Sequence, residues 1–208
     1  MSSPWSNISS GTEAVISVFK SSIIERLLKD GIETKESYNH KLAGHLESQF
    51  KYNNETTNWF YKSIQPILQQ YRHNHSIFHS ISNENVELTA IDLWVNFMKA
   101  GDFNPVHYHG GDYSFVLFLE IPEELKKEQQ EHRGTSMKPG ELHLQYTQAS
   151  KPRWATEGVS VNPKVGDMII FPANLMHMVC PFKSTGTRIS VSGNLFISNR
   201  DKLPYEYF

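Results

Sequence analysis

Apolar positions in the first third of the chain recur mostly at helical intervals, whereas from residue 86 onward they fall in short alternating runs broken by Gly and Pro. Ala14, Val15, Val18 and Phe19, followed by Ile23, Ile24, Leu27 and Leu28, fit either strand or helix, and periodicity alone does not separate the two. Between Ser37 and Tyr52 the spacing of Leu42, His45, Leu46 and Phe50 predicts a helix; Trp59, Ile64, Ile67, Leu68 and Tyr71 predict a second, with Pro66 as its kink or its start. Lys41-Leu-Ala-Gly-His-Leu-Glu47 has two readings, a recognition surface or an amphipathic helix whose small residues permit close packing, and the second is the favoured expectation.

Eight strand-like runs follow: Val86–Lys99, Val106–His109, Tyr113–Ile121, Glu141–Tyr146, Val159–Val161, Met168–Phe171, Met178–Pro181 and Arg188–Ser198. Gly101-Asp102, Asn104-Pro105, Gly110-Gly111 and Val165-Gly166-Asp167 supply turn chemistry at the breaks. The fold class this predicts is mainly β with N-terminal helices, a double-stranded β-helix of the jelly-roll or cupin type. Residues 1–85 would form a mostly helical extension packed on a core of residues 86–208. The charged stretch from Glu123 to Pro139 reads as a surface connection, with a lid over the barrel mouth as the sharper alternative.

Composition narrows the partners. Twenty Lys and Arg against 22 Asp and Glu leave a net charge of −2, so no global positive field draws in nucleic acid. The longest apolar runs fall far short of the roughly 20 residues needed to cross a bilayer, which predicts no membrane span. The single cysteine, Cys180, cannot form an internal disulfide, and the first residues carry no export signal, so the expected location is cytoplasmic. A homodimer through the N-terminal helices is one arrangement open to such a chain.

Candidate chemistry sits on three of the predicted strands. In Asn104-Pro-Val-His-Tyr-His-Gly-Gly-Asp112, His107 and His109 stand two residues apart, so strand alternation sends both imidazoles to one face, where they can converge on an ion. The Gly110-Gly111 turn can return Asp112 toward the strand end as an oxygen ligand. Seventy positions after His107, His177 follows the apolar run Met168–Phe171, and in a jelly roll two such distant strands meet at the barrel mouth. Arg188, Ser190, Ser192 and Asn194 share one face of the last strand, with Ile189 and Val191 on the other. A buried arginine without an anion costs several kcal/mol, and a carboxylate ligand held by two parallel hydrogen bonds would offset it. The five histidines before residue 80 read as surface or helix-packing groups, while His132 and His143 are ambiguous. Lys151-Pro-Arg-Trp154 could contact a substrate at the mouth or simply anchor a loop.

With these residues in view, Val86 to Phe196 resembles the 2-oxoglutarate and Fe(II)-dependent oxygenases, particularly a bacterial and phage group. An early strand histidine, a second metal residue close behind, a late histidine and an Arg-x-Ser pair about ten residues later match at His107, His177, Arg188 and Ser190. The resemblance implies a dioxygenase, a hydroxylase of an unidentified organic or protein substrate. It would use Fe(II), O2 and 2-oxoglutarate, with Arg188 and Ser190 on the far carboxylate of the cosubstrate. Catalysis would run at His107, His109 and His177. The departure is the second ligand, because most of the superfamily has a carboxylate two residues after the first histidine and this chain has His109. Either His109 coordinates, giving three histidines, or Asp112 restores a carboxylate; strand geometry favours His109. Phe115, Leu117 and Phe171 would shield the centre or serve as plain core. A different metal-dependent cupin and a non-catalytic jelly-roll binding module are the competing classes.

Overall fold

The computed structural model describes residues 14–17, 19, 21–80, 87–145 and 158–198. Two antiparallel sheets face each other. The larger contains, in spatial order, β1 (Ala14–Ser17), β8 (Asp167–Pro172), β5 (Tyr113–Glu120), β10 (Arg188–Ser198), β3 (Glu87–Met98) and β2 (Ser48–Lys51). The smaller contains β4 (Asn104–His107), β9 (Met176–Val179), β6 (Leu142–Gln145) and β7 (Gly158–Val161). This is the predicted double-stranded β-helix.

The large sheet is covered on both faces, which is why β5 reads as the nearly unbroken apolar run Phe-Val-Leu-Phe-Leu. Tyr113, Phe115, Leu117 and Leu119 of β5, Leu93 and Val95 of β3, Met168 and Ile170 of β8, and Ile189 and Val191 of β10 form one cluster with α1 (Ser21–Glu33) and α2 (Asn54–His79). Ile24 and Leu27 of α1 and Phe60, Ile64 and Leu68 of α2 supply the helical side. The alternate residues Met98, Phe118, Ile169 and Phe171 form a second cluster with Leu142, Leu144 and Val179 of the small sheet. The apolar area buried in these two layers, at roughly 25 cal/mol per Å², is the dominant driving term for the fold.

The predicted helix from Ser37 to Tyr52 does not form. A single 3₁₀ turn at Asn39–Lys41 is followed by extended chain and then β2, whose Phe50 pairs with Val95 and Gln49 with Asn96. Asn39 explains the loss locally: its side chain donates to the Leu46 carbonyl and accepts the Gln49 N–H, bonds that a helix would forbid. Gly44 in the middle adds the backbone entropy that a helix must overcome. His45 stacks on Phe103 at 4.7 Å and bonds its backbone, clipping this segment to the chain that enters β4.

The second predicted helix is present as α2 and is longer than its apolar stripe suggested, running through Pro66 rather than starting there. Asn53 caps it by accepting the Thr56 N–H at 2.8 Å. The segment before residue 86 contributes β1 and β2 as well as α1 and α2, so it flanks the large sheet at both margins and along its outer face. The charged run contains α3 (Glu123–Glu131), which is docked: Leu125 is fully buried, Gln129 donates to the Pro139 carbonyl, and Glu128 accepts the backbone N–H groups of Lys183 and Ser184. Among the described residues no helix is long and apolar enough to cross a membrane.

The turn after β4 requires glycine. Gly111 has φ +104°, and a Cβ there would lie 2.9 Å from the Leu195 carbonyl oxygen. Gly111→Ala is expected to lower stability by about 1–3 kcal/mol. Urea denaturation of the purified variant measures the loss, and an unchanged midpoint would show that the turn relaxes freely.

Candidate metal centre

β4 and β9 pair so that His107 stands directly across from His177, with ring centroids 4.2 Å apart. β9 begins two residues before the run predicted for it, so His177 lies on the strand rather than in the turn preceding it. His109 follows β4, its backbone N–H tied to the Ala173 carbonyl at 2.8 Å, and its ring centroid is 5.0 Å from His107 and 4.9 Å from His177. One ligand nitrogen from each residue lies within 4.8 Å of the other two, and the Nε2 atoms of His109 and His177 are 3.2 Å apart.

Backbone carbonyls orient two of the rings. Nδ1–H of His107 donates to the Pro105 carbonyl at 2.7 Å, and Nδ1–H of His177 donates to the Leu175 carbonyl at 2.8 Å. Each bond fixes the tautomer and leaves Nε2 as a free lone pair, the arrangement in which imidazoles coordinate metal. The edge contacts of Phe171 on His177 and Trp94 on His109 restrict rotation further. Burial lowers the pKa of all three, to about 3 for His109 and about 4 for His177, with neighbouring imidazoles adding to the effect on both. They are therefore neutral at ordinary pH.

Asp112 is placed elsewhere. The Gly110-Gly111 turn returns it toward the barrel, but its Oδ2 accepts the Ile197 N–H at 2.7 Å, so the carboxylate secures the end of β10. The cluster of possible metal-holding side chains among the described residues consists of His107, His109 and His177.

The polar face that alternation predicts for β10 points between the sheets at Arg188 and Ser190. Arg188 and Ser190 are 3% and 2% exposed, although the strand is flanked on both sides by apolar layers. Arg188 places its guanidinium 4.8 Å from the Phe118 ring and sends Nη1 to Met98 Sδ at 3.6 Å, while its Nε has no partner. Burial lowers its pKa to about 10, so it remains a cation. No carboxylate of the described residues pairs with it. Stripping a guanidinium of water costs several kcal/mol, and a thioether and an aromatic face return a small part of that. This is the environment of a group that waits for an anion.

Beside Arg188 a polar row crosses three strands: Ser190 of β10 and Gln49 of β2 both stand opposite Asn96 of β3. Gln49 Nε2 donates to Asn96 Oδ1 at 2.8 Å, and Asn96 Nδ2 donates to Ser192 Oγ at 3.2 Å. The three histidines, Arg188, Ser190, Asn96, Gln49 and Asn104 line one cleft, which has no Asp or Glu among its lining residues. Asn194 bonds Ser114 instead, Leu117 packs in the helix-side cluster, and Phe171 shields His177; Lys151–Trp154 lies outside the described residues. Sequence reasoning missed Asn96, Gln49 and Asn104. An isolated Asn inside the apolar run Leu93–Met98 signals the first, whereas the helical reading of Ser37–Tyr52 concealed Gln49 and the turn signature Asn-Pro concealed Asn104.

Comparison with known proteins gives a family match and several similar folds. Residues 92–194 match a family described as "Putative 2OG-Fe(II) oxygenase". No curated protein matches the chain. Among solved structures, a prolyl-4-hydroxylase from Pseudomonas putida is similar at TM-score 0.56 and 13% identity, over 90% of this chain and 93% of that one. The viral collagen prolyl hydroxylase of Paramecium Bursaria Chlorella virus-1, solved as a 2OG complex, is similar at TM-score 0.55 and 16% identity, over 88% and 95%. HygX from Streptomyces hygroscopicus, solved with nickel and 2-oxoglutarate bound, is similar at TM-score 0.53 and 11% identity, over 90% and 84%.

The histidine shifts carry a sign. Unfolded imidazoles take up protons below about pH 6.5, whereas folded His109 and His177 resist them until about pH 3–4, so the unfolded state binds more protons in that window and stability falls on acidification. His75, buried against the Tyr113 hydroxyl with its pKa lowered to about 4, acts in the same direction. The melting temperature of the metal-free protein should therefore drop between pH 7 and pH 5, and His109→Gln should make the drop shallower. Thermal melts across that range, with and without the substitution, measure both slopes.

Proposed function

The chain belongs, over residues 92–194, to the 2OG-Fe(II) oxygenase family, and from that premise we propose that His107, His109 and His177 hold the Fe(II) while Arg188 and Ser190 hold the distal carboxylate of 2-oxoglutarate. The observation that carries the second assignment is the unpaired Arg188 guanidinium, buried in the same cleft as the three converging imidazoles. A metal-binding cupin that took no anionic cosubstrate would leave that cation uncompensated. This reading leaves Asp112 out of the ligand set, and the bond from the Ile197 N–H to its carboxylate supports that choice.

Fe(II) and 2-oxoglutarate, when bound, supply with O2 the oxidising chemistry, the cosubstrate leaving as succinate and carbon dioxide. The residues of this chain provide position, charge and shielding. Pro105 and Leu175 hold the His107 and His177 rings by Nδ1, so that both Nε2 lone pairs are aimed before the metal arrives. Three neutral imidazoles contribute no charge to the centre, so the dianionic cosubstrate balances the metal and Arg188 keeps its far carboxylate paired. Ser190 stands two residues along the same face, where its hydroxyl fixes the carboxylate plane. Phe171 and Trp94, against His177 and His109, exclude water from the side of the centre facing the large sheet. The reaction assigned to this site is hydroxylation of a C–H bond on an organic or protein substrate.

Anaerobic addition of Fe(II) should give a visible charge-transfer band only when 2-oxoglutarate is also present; metal binding without the band would point to another cupin chemistry. Arg188→Met should weaken 2-oxoglutarate binding about 10- to 100-fold while metal affinity is retained. Equal loss of both would reduce Arg188 to a structural role. His109→Ala should abolish Fe(II) binding in calorimetric titration, whereas Asp112→Ala should lower the melting temperature and leave metal binding in place. The reverse pattern would restore the carboxylate ligand.

A further inference from the structure

The segment Leu42–Leu46, helical by periodicity, is an extended strap over one side of the cleft, and Leu42, Ala43, Gly44 and Leu46 line it. His45 stacked on Phe103 holds the strap down from outside. Beneath it lie two acceptors with no partner, Gln49 Oε1 and Asn104 Oδ1. Gln49 is 2% exposed and lines the cleft, and with Nε2 donating to Asn96 its Oε1 is left without a donor. Gly44 lets the strap lie directly on these residues: a Cβ there would run into Asn104 Oδ1 and Leu46 and would press on Gln49 Nε2.

Two orphaned acceptors on residues that line one cleft beneath the same strap call for a donor. We propose that Gln49 and Asn104, roofed by Ala43-Gly44, form a substrate subsite that reads a neutral hydrogen-bond donor, an amide N–H or a hydroxyl. A cationic donor is disfavoured because the cleft lining offers no carboxylate and already carries Arg188. A substrate without the donor leaves both oxygens desolvated and unpaired, and sites built this way discriminate by large factors against analogues that lack the group. The inference rests on the oxygenase reading of the cleft, since it treats the histidines and Arg188 as already occupied. It also gives Lys41–Glu47 the recognition role that its helical spacing argued against.

The test uses the full chain with zinc in place of iron and 2-oxoglutarate bound. Saturation-transfer NMR compares acetamide with N,N-dimethylacetamide, and ethylene glycol with dimethoxyethane. The donor-bearing member of at least one pair should show transfer at least about tenfold above its methylated partner; the pair that responds distinguishes an amide from a hydroxyl. Asn104→Leu and Gly44→Val should each remove the difference. Asn104→Leu should also melt at or above the wild-type temperature, by about 2–4 °C, because it deletes an unsatisfied buried acceptor, whereas a structural asparagine would give a fall. Equal transfer within both pairs, or none from any probe, overturns the subsite, as does a destabilised Asn104→Leu. The wild-type charge-transfer band separates the two layers: present with no discrimination, the subsite alone fails; absent, the oxygenase reading fails with it.

Discussion

A guanidinium sealed between two β-sheets without a counter-anion is the constraint around which this fold is arranged. Arg188 is 3% exposed, touches a thioether and an aromatic face, and leaves Nε unsatisfied. A core tolerates such a group when its surroundings hold it ready for an anion, and the protein bears the desolvation cost whenever the anion is absent. The sheets supply the rigidity that keeps the charge in place. The convergent imidazoles line the same cleft, and in the proposed reading a chelating dianion would meet metal and guanidinium together.

The large sheet makes this possible by being apolar on one face and mixed on the other. Helices α1 and α2 cover the outer face with Leu27, Phe60, Ile64 and Leu68, so stability is concentrated away from the chemistry. The inner face is then free to carry the row Ser190–Asn96–Gln49, whose members are linked through Asn96 with Gln49 Oε1 left over. A buried polar network of this kind specifies register as well as function, since a one-residue slip of β10 would turn Arg188 and Ser190 into the helix layer and Ile189 into the cleft.

Much of this was legible in the sequence. The alternation Arg-Ile-Ser-Val-Ser predicted one polar and one apolar face, His107 and His109 declared a shared face by their spacing, and the Gly-rich turns marked the strand ends correctly to within two residues. What failed did so for physical reasons. Leu42, Leu46 and Phe50 have helical spacing, yet Asn39 ties up the backbone and Phe50 finds a better partner in Val95, so long-range pairing overrides a local period. The bond from the Ile197 N–H to the Asp112 carboxylate is likewise announced by no sequence rule. Polar residues that work only through a neighbouring strand, Asn96 and Gln49 among them, stay invisible until the strands are in register.

The six-stranded sheet ends in β1 and β2, each four residues long. Exposed strand margins are templates for other chains, and their danger grows with length and flatness. Ending the sheet in two abbreviated strands shortens the ladder that β1 and β2 themselves offer a neighbour. Of the longest strands, β5 and β10 therefore lie inside the sheet with a strand on each side, and β3 has β2 against Trp94–Phe97.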